Sequence, residues 1–128
     1  MKVATVCGDV SVDELGITMP HEHLLLEIAH MGPVAKDPYW RDIAERPVDC
    51  SIISDLRLHP MISKDSLRLT DPGVAIEELG YFKAAGGRSL IDQTSKWVGL
   101  DPMALRQISE ATGIHVIVVA SYYSTPPE

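Results

Sequence analysis

The sequence predicts an α/β fold built on a parallel sheet, and three observations carry that prediction. Apolar periodicity alternates between strand-like and helical along the second half of the chain, in the order strand, helix, strand, helix, strand once the strand before His21 is included. The run His115-Val116-Ile117-Val118-Val119-Ala120 is β-branched and nearly all apolar, as expected for a parallel strand covered on both faces. Both helical stretches open on Asp-Pro, at Asp71-Pro72 and Asp101-Pro102, which sets an N-cap before a proline at the first helical position.

In chain order, Val3 to Cys7 and Asp9 to Val12 flank Gly8 and predict a short hairpin. Leu15 to Pro20 then reads as a strand running into His21. From His30 to Thr70 the prolines Pro33, Pro38, Pro47 and Pro60 interrupt short apolar runs such as Ile52-Ile53, so this stretch is expected as a long excursion with one or two short helices of unassigned position. After Asp71-Pro72, the residues Ala75, Ile76, Leu79 and Phe82 share one helical face, and Gly86-Gly87 ends the helix. Ser89-Leu90-Ile91-Asp92 follows as a short buried strand, then a helix with Leu105, Ile108 and Ala111 turned inward and Gly113 closing it. Such an order implies right-handed crossovers and helices outside a parallel sheet, either an open doubly wound sheet or part of a (β/α)8 barrel. Both gather ligands at the C-terminal ends of the strands.

Composition narrows the function. A chain of 128 residues with 45% apolar and 23% charged residues is expected to fold as one domain around one core. The net charge of -7, with 11 scattered basic residues, argues against a nucleic-acid partner. No run approaches the roughly 20 apolar residues of a membrane helix, and Met1 to Val6 lacks the apolar stretch of a signal peptide, so a cytoplasmic protein is expected. Cys7 and Cys50 stand far apart without CxxC spacing and are expected to be buried free thiols.

One constellation has a metal reading. In His21-Glu22-His23 the two histidines are spaced by two residues, so strand alternation projects them the same way while Glu22 points oppositely. Two neutral imidazoles at the mouth of a parallel sheet can supply half of a tetrahedral metal site. An HxH pair arises often by chance and surface histidines are its ordinary explanation; its weight comes from its place directly after a strand. Asp92 and Thr94 end the next strand and Ser121, Tyr122 and Tyr123 the one after, converging on the same rim. Asp92 either meets substrate or caps the following loop, and the two tyrosines either meet substrate or cover the core edge. His30, His59 and His115 lack partners at ligand spacing, and Glu77, Glu78 and Glu110 fall on outer helical faces.

These residues carry a resemblance. Leu15-Gly16-Ile17-Thr18-Met19-Pro20-His21-Glu22-His23-Leu24 resembles the opening signature of the phosphotriesterase family of the amidohydrolase superfamily. Glu78-Leu79, Phe82-Lys83, Ala85-Gly86-Gly87, Leu90-Ile91-Asp92-Gln93-Thr94, Asp101-Pro102 and Thr112-Gly113-Ile114 through Tyr122-Tyr123 follow the same pattern in order. Leu100 stands where arginine is common in that family.

The resemblance implies the N-terminal portion of a TIM (β/α)8 barrel: an incomplete domain over 1–128, with a hairpin in 1–14 and three strands with their helices in 15–128. It implies a hydrolase of ester bonds, of phosphotriesterase or lactonase type, in which two metal ions, usually zinc, activate a hydroxide. His21 and His23 match the two first-strand ligands of one metal, and Asp92, Tyr122 and Tyr123 would line the pocket. The family's other ligands, a carboxylated lysine on the fourth strand, histidines on the fifth and sixth and an aspartate on the eighth, have no counterpart here, and a full barrel takes about 250 residues. The resemblance thus implies a small ester, lactone or organophosphate substrate, with a non-catalytic truncated fragment as the alternative. Self-association, or a partner chain supplying the remaining strands, would complete the barrel.

Overall fold

The computed structural model describes residues 1–121. In chain order its elements are β1 (Lys2–Thr5), β2 (Gly8–Ser11), β3 (Ile17–Glu22), β4 (Leu26–Glu27), α1 (Pro38–Glu45), α2 (Ile53–Leu58), β5 (Arg68–Leu69), α3 (Pro72–Ala84), β6 (Gly87–Asp92), α4 (Pro102–Thr112) and β7 (His115–Val118). They form two compact units, one made of Met1–Leu25 with the chain from Thr70 onward, the other of Leu26–Leu69.

In the first unit β1 and β2 pair antiparallel as the expected hairpin, while β3, β6 and β7 form a parallel sheet in that order. The strand order follows chain order without reversal. Three parallel strands in that order are shared by consecutive barrel strands and by the first half of a doubly wound sheet, which reverses only at its fourth strand. The register sets Glu22 beside Asp92 and Asp92 beside Val118, so the C-terminal ends of all three strands lie in one row.

The helices form for the reasons their sequences state. Asp71 Oδ1 accepts from the Gly73 amide at 2.7 Å, and Asp101 Oδ1 accepts from Met103 and Ala104 at 3.0 Å each, both followed by proline at the helix start. Each such cap stabilises its helix by about 1 kcal/mol. Gly113 closes α4 at φ 71°, a left-handed conformation in which a side chain would be strained. Gly87 is required for space: a Cβ there would stand 2.3 Å from the Phe82 ring. The core joins Leu79 on α3 and Leu105 and Ile108 on α4 to Leu90 and Val116 in the sheet, with Leu25, Ala75 and Ile114 around them.

Four expectations need correction. Ala111 is exposed, because the buried face of α4 runs through Leu105, Ile108, Ser109 and Thr112 and a residue at 111 falls off that stripe. Cys7 and Cys50 are both exposed rather than buried, Cys7 in the turn between β1 and β2 and Cys50 just before α2. In β7 only Val116 is fully buried and Ile117 and Val118 are half-buried, so the strand is not covered on both faces; β7 is the last strand of the described sheet, and on its outer side the Val6 amide donates to Val116 O at 2.9 Å. The expected single core is joined by a second, smaller cluster in 26–69.

That second unit is the proline-interrupted stretch whose elements the sequence left unassigned. Asp37-Pro38 begins α1 with the same cap as the other helices, Asp37 Oδ1 accepting from the Tyr39 amide at 2.8 Å. Ile43, Ile52 and Ile62 make its core, with Ala35, Trp40 and Leu56 packed against them. Strands β4 and β5 pair over only two residues each, with an Arg68–Glu27 ion pair at 2.7 Å beside the ladder.

Candidate functional site

The candidate site lies at the C-terminal end of β3. His21 is the next-to-last residue of the strand and His23 follows its end, because β3 starts two residues later than the sequence suggested and runs through Glu22. The pairing of β3 with β6 is irregular between Met19 and Glu22, around Pro20, yet the two imidazoles come together with ring centroids 5.6 Å apart and planes at 69°. His21 is exposed and His23 half-buried. The two histidines thus adjoin on a strand end.

Asp92 holds this strand end in place. The residue is fully buried, its Oδ2 accepting from the Leu24 amide at 2.9 Å and its Oδ1 from the Thr94 amide at 2.8 Å. A buried carboxylate needs such donors, since an unpaired one is costly to desolvate. With one backbone donor on each oxygen, Asp92 ties the segment after β3 to the segment after β6. The ladder continues past the strands, with Gln93 N donating to Glu22 O at 2.8 Å and Val119 N donating to Asp92 O at 3.2 Å. Gln93 Nε2 also donates to Pro20 O at 3.3 Å.

Thr94, only 1% exposed, completes the arrangement: its hydroxyl lies 3.0 Å from His23 Nδ1 and donates to the Leu25 carbonyl at 3.1 Å. The sequence placed Thr94 on the rim without giving it a role. The available signal was the Asp92-x-Thr94 spacing, which puts two polar side chains on one face at a strand end. Ser95 Oγ and Trp97 Nε1, in the same loop, are buried without a partner among the described residues.

Of the other sequence-derived candidates, Tyr122 and Tyr123 lie outside the described residues. Ser121 is exposed past β7. Leu100, which stands where arginine is common in the resembling family, packs against the core. Glu77, Glu78 and Glu110 are exposed on their helices, and the His59 ring packs against Trp40 at 4.5 Å within 26–69. Among the described residues no group of three or more His, Cys, Asp or Glu side chains could hold a metal together. No described helix is long and apolar enough to cross a membrane.

A parallel sheet whose strands follow chain order, flanked by crossover helices and carrying polar side chains at its C-terminal rim, together with the likeness to solved structures given below, defines the class: the N-terminal part of a (β/α)8 barrel. The sequence profile of the phosphotriesterase family matches residues 1–126, and the chain belongs to that family. Among curated relatives, the N-acetyltaurine hydrolase of Salmo salar is 33% identical over 125 residues, covering 95% of this chain and 35% of the relative. Among solved structures, a resiniferatoxin-binding protein from Rhodobacter sphaeroides is 37% identical with a TM-score of 0.91, covering 97% of this chain and 35% of that one. An organophosphorus hydrolase from Deinococcus radiodurans is 26% identical with a TM-score of 0.53, covering 92% of this chain and 28% of that one. The chain therefore spans about a third of the length of the curated relatives it matches.

Proposed function

We propose that this chain contributes His21 and His23, as two ligands of a divalent metal, to the active site of a metal-dependent hydrolase. The observation that carries the reading is the adjoining pair of imidazoles at the C-terminal end of β3. Two neutral imidazoles suit zinc, and also cobalt, nickel or iron, so zinc is the default rather than a deduction. A bound divalent ion would supply Lewis acidity to the bond under attack and acidify water toward neutral pH. The chain's own part is to present two nitrogen lone pairs from one strand end and to keep that end rigid through Asp92. Both oxygens of Asp92 are engaged by backbone amides, which supports a positioning role over substrate contact. Tyr122 and Tyr123 remain proposed pocket residues on the family resemblance alone.

Two ligands hold a metal weakly, so the remaining ligands are proposed to come from outside the described residues, on the same polypeptide or on a partner chain, a second copy included. The proposed substrate is a small ester, lactone or organophosphate. A second reading, hydrolysis of an N-acyl amide, is favoured by the N-acetyltaurine hydrolases among the relatives.

Zinc calorimetry on the protein and on its His21→Ala/His23→Ala variant tests the ligand assignment, with a loss of at least about tenfold in affinity expected in the variant. Binding that ignores the double substitution would sink the reading and leave the chain as a non-catalytic piece of the fold. Turnover of an aryl phosphotriester, a lactone and N-acetyltaurine by the zinc-loaded protein separates the substrate classes.

A further inference from the structure

We propose that Thr94 is a positioning residue that fixes the tautomer of His23, placing the proton on Nδ1 and leaving Nε2 as the nitrogen free to bind a metal. The inference rests on the metal-ligand reading of His23 and adds to it which ring atom coordinates and what selects that atom.

The argument is one of counting protons. A threonine hydroxyl carries one hydrogen and can donate once. Thr94 Oγ1 has two neighbours at hydrogen-bond distance, the Leu25 carbonyl at 3.1 Å and His23 Nδ1 at 3.0 Å. The carbonyl has no proton to give, so its contact is satisfied only if Thr94 donates to it. Thr94 must then accept from His23, which requires a proton on Nδ1. In the opposite tautomer the hydroxyl would turn to Nδ1, and the lone pairs of Thr94 Oγ1 and Leu25 O would face each other in a buried place without a hydrogen between them. One tautomer satisfies both contacts and the other only one.

The surrounding structure keeps this triad from relaxing. The Asp92 carboxylate accepts from the amide of Thr94 itself and from that of Leu24, the residue between His23 and Leu25, so one buried side chain spaces both ends of the chain of hydrogen bonds. Thr94 is 1% and Asp92 0% exposed, which leaves little room for water to substitute for either partner. A partner that orients a ligating imidazole in this way typically changes metal affinity by about 10- to 100-fold when removed.

The test reads the tautomer directly. In metal-free protein labelled with 15N at histidine, at about pH 8.5 and so past the ordinary imidazole range near 6.5, His23 is expected to show a protonated Nδ1 and an unprotonated Nε2. His21 serves as the internal reference. Thr94→Val, which keeps the shape and removes the hydroxyl, should shift His23 toward the Nε2–H form and weaken zinc binding about 10- to 100-fold; Thr94→Ser should restore both. A wild-type His23 protonated on Nε2, or a Thr94→Val spectrum unchanged from wild type, would overturn the proposal. The wild-type spectrum decides the matter even if the valine variant fails to fold. Failure of the underlying reading looks different: zinc affinity would then ignore His21→Ala/His23→Ala while His23 still carried its proton on Nδ1.

Discussion

The two units of this chain are stabilised in different ways. The sheet unit has long parallel ladders, helices of 13 and 11 residues and one core of eight buried apolar side chains. The unit from 26 to 69 has helices of 8 and 6 residues, a ladder of two-residue strands and a core of three isoleucines. In the second unit, side chains bonded to loop backbone replace ladders: Asp65 Oδ2 accepts from Val48 N at 2.8 Å, Asp49 Oδ1 from Ser51 N at 2.7 Å, and Ser63 Oγ donates to Arg46 O at 3.2 Å. The difference teaches where rigidity is placed. The candidate metal ligands and the carboxylate that steadies them belong to the unit with the larger core, where a strand end can be held to a fraction of an ångström.

Truncation of one core residue in each unit would break this comparison most sharply. Leu90→Ala and Ile52→Ala both remove fully buried side chains, and each is expected to cost about 2–5 kcal/mol within its own unit. If the units are separately stabilised, Leu90→Ala lowers amide-exchange protection in β3, β6 and β7, whereas Ile52→Ala lowers it in α1 and α2 alone. Equal loss of protection throughout the chain in both variants would mean that the two regions unfold as one.

A smaller effect is expected from Asp92→Ala, which leaves the Leu24 and Thr94 amides without their acceptor. At about 1–3 kcal/mol for each orphaned donor, the loss should appear as a lower denaturation midpoint. Loosening of the strand end should also weaken zinc binding in parallel with the His21→Ala/His23→Ala variant. Unchanged zinc affinity in a folded Asp92→Ala protein would separate the carboxylate from the site.

The smallest effect belongs to the loop-rich unit. The Ser51 hydroxyl, and then its amide, donate to Asp49 and hold its carboxyl below the ordinary aspartate value. A carboxyl whose pKa falls on folding adds stability above its unfolded value near 3.9 and loses it as pH drops through the lower folded value. Ser51→Ala should therefore be slightly less stable than wild type at neutral pH, the two curves converging below about pH 4. Parallel curves at all pH values would show that the pair has no part in the acid response.

Much of the sheet unit could be read from residues alone. Asp71-Pro72 and Asp101-Pro102 encode their helix starts locally, the residues of the Val116 strand encode extended backbone, and Gly8 marks the hairpin, whose turn lies just before it at Val6-Cys7, because caps, turns and β-branching act over a few residues. The same local code was present at Asp37-Pro38, but in a stretch broken by four prolines it was not separable from loop. The pairing of His21 with His23 was legible for a similar reason, since a spacing of two on a strand carries its own geometry. Tertiary structure alone decided that Asp92 accepts from Leu24, 68 positions away, and that Thr94 stands between His23 and Leu25. Those contacts join residues distant in sequence and depend on strand register, which packing sets and no local pattern contains.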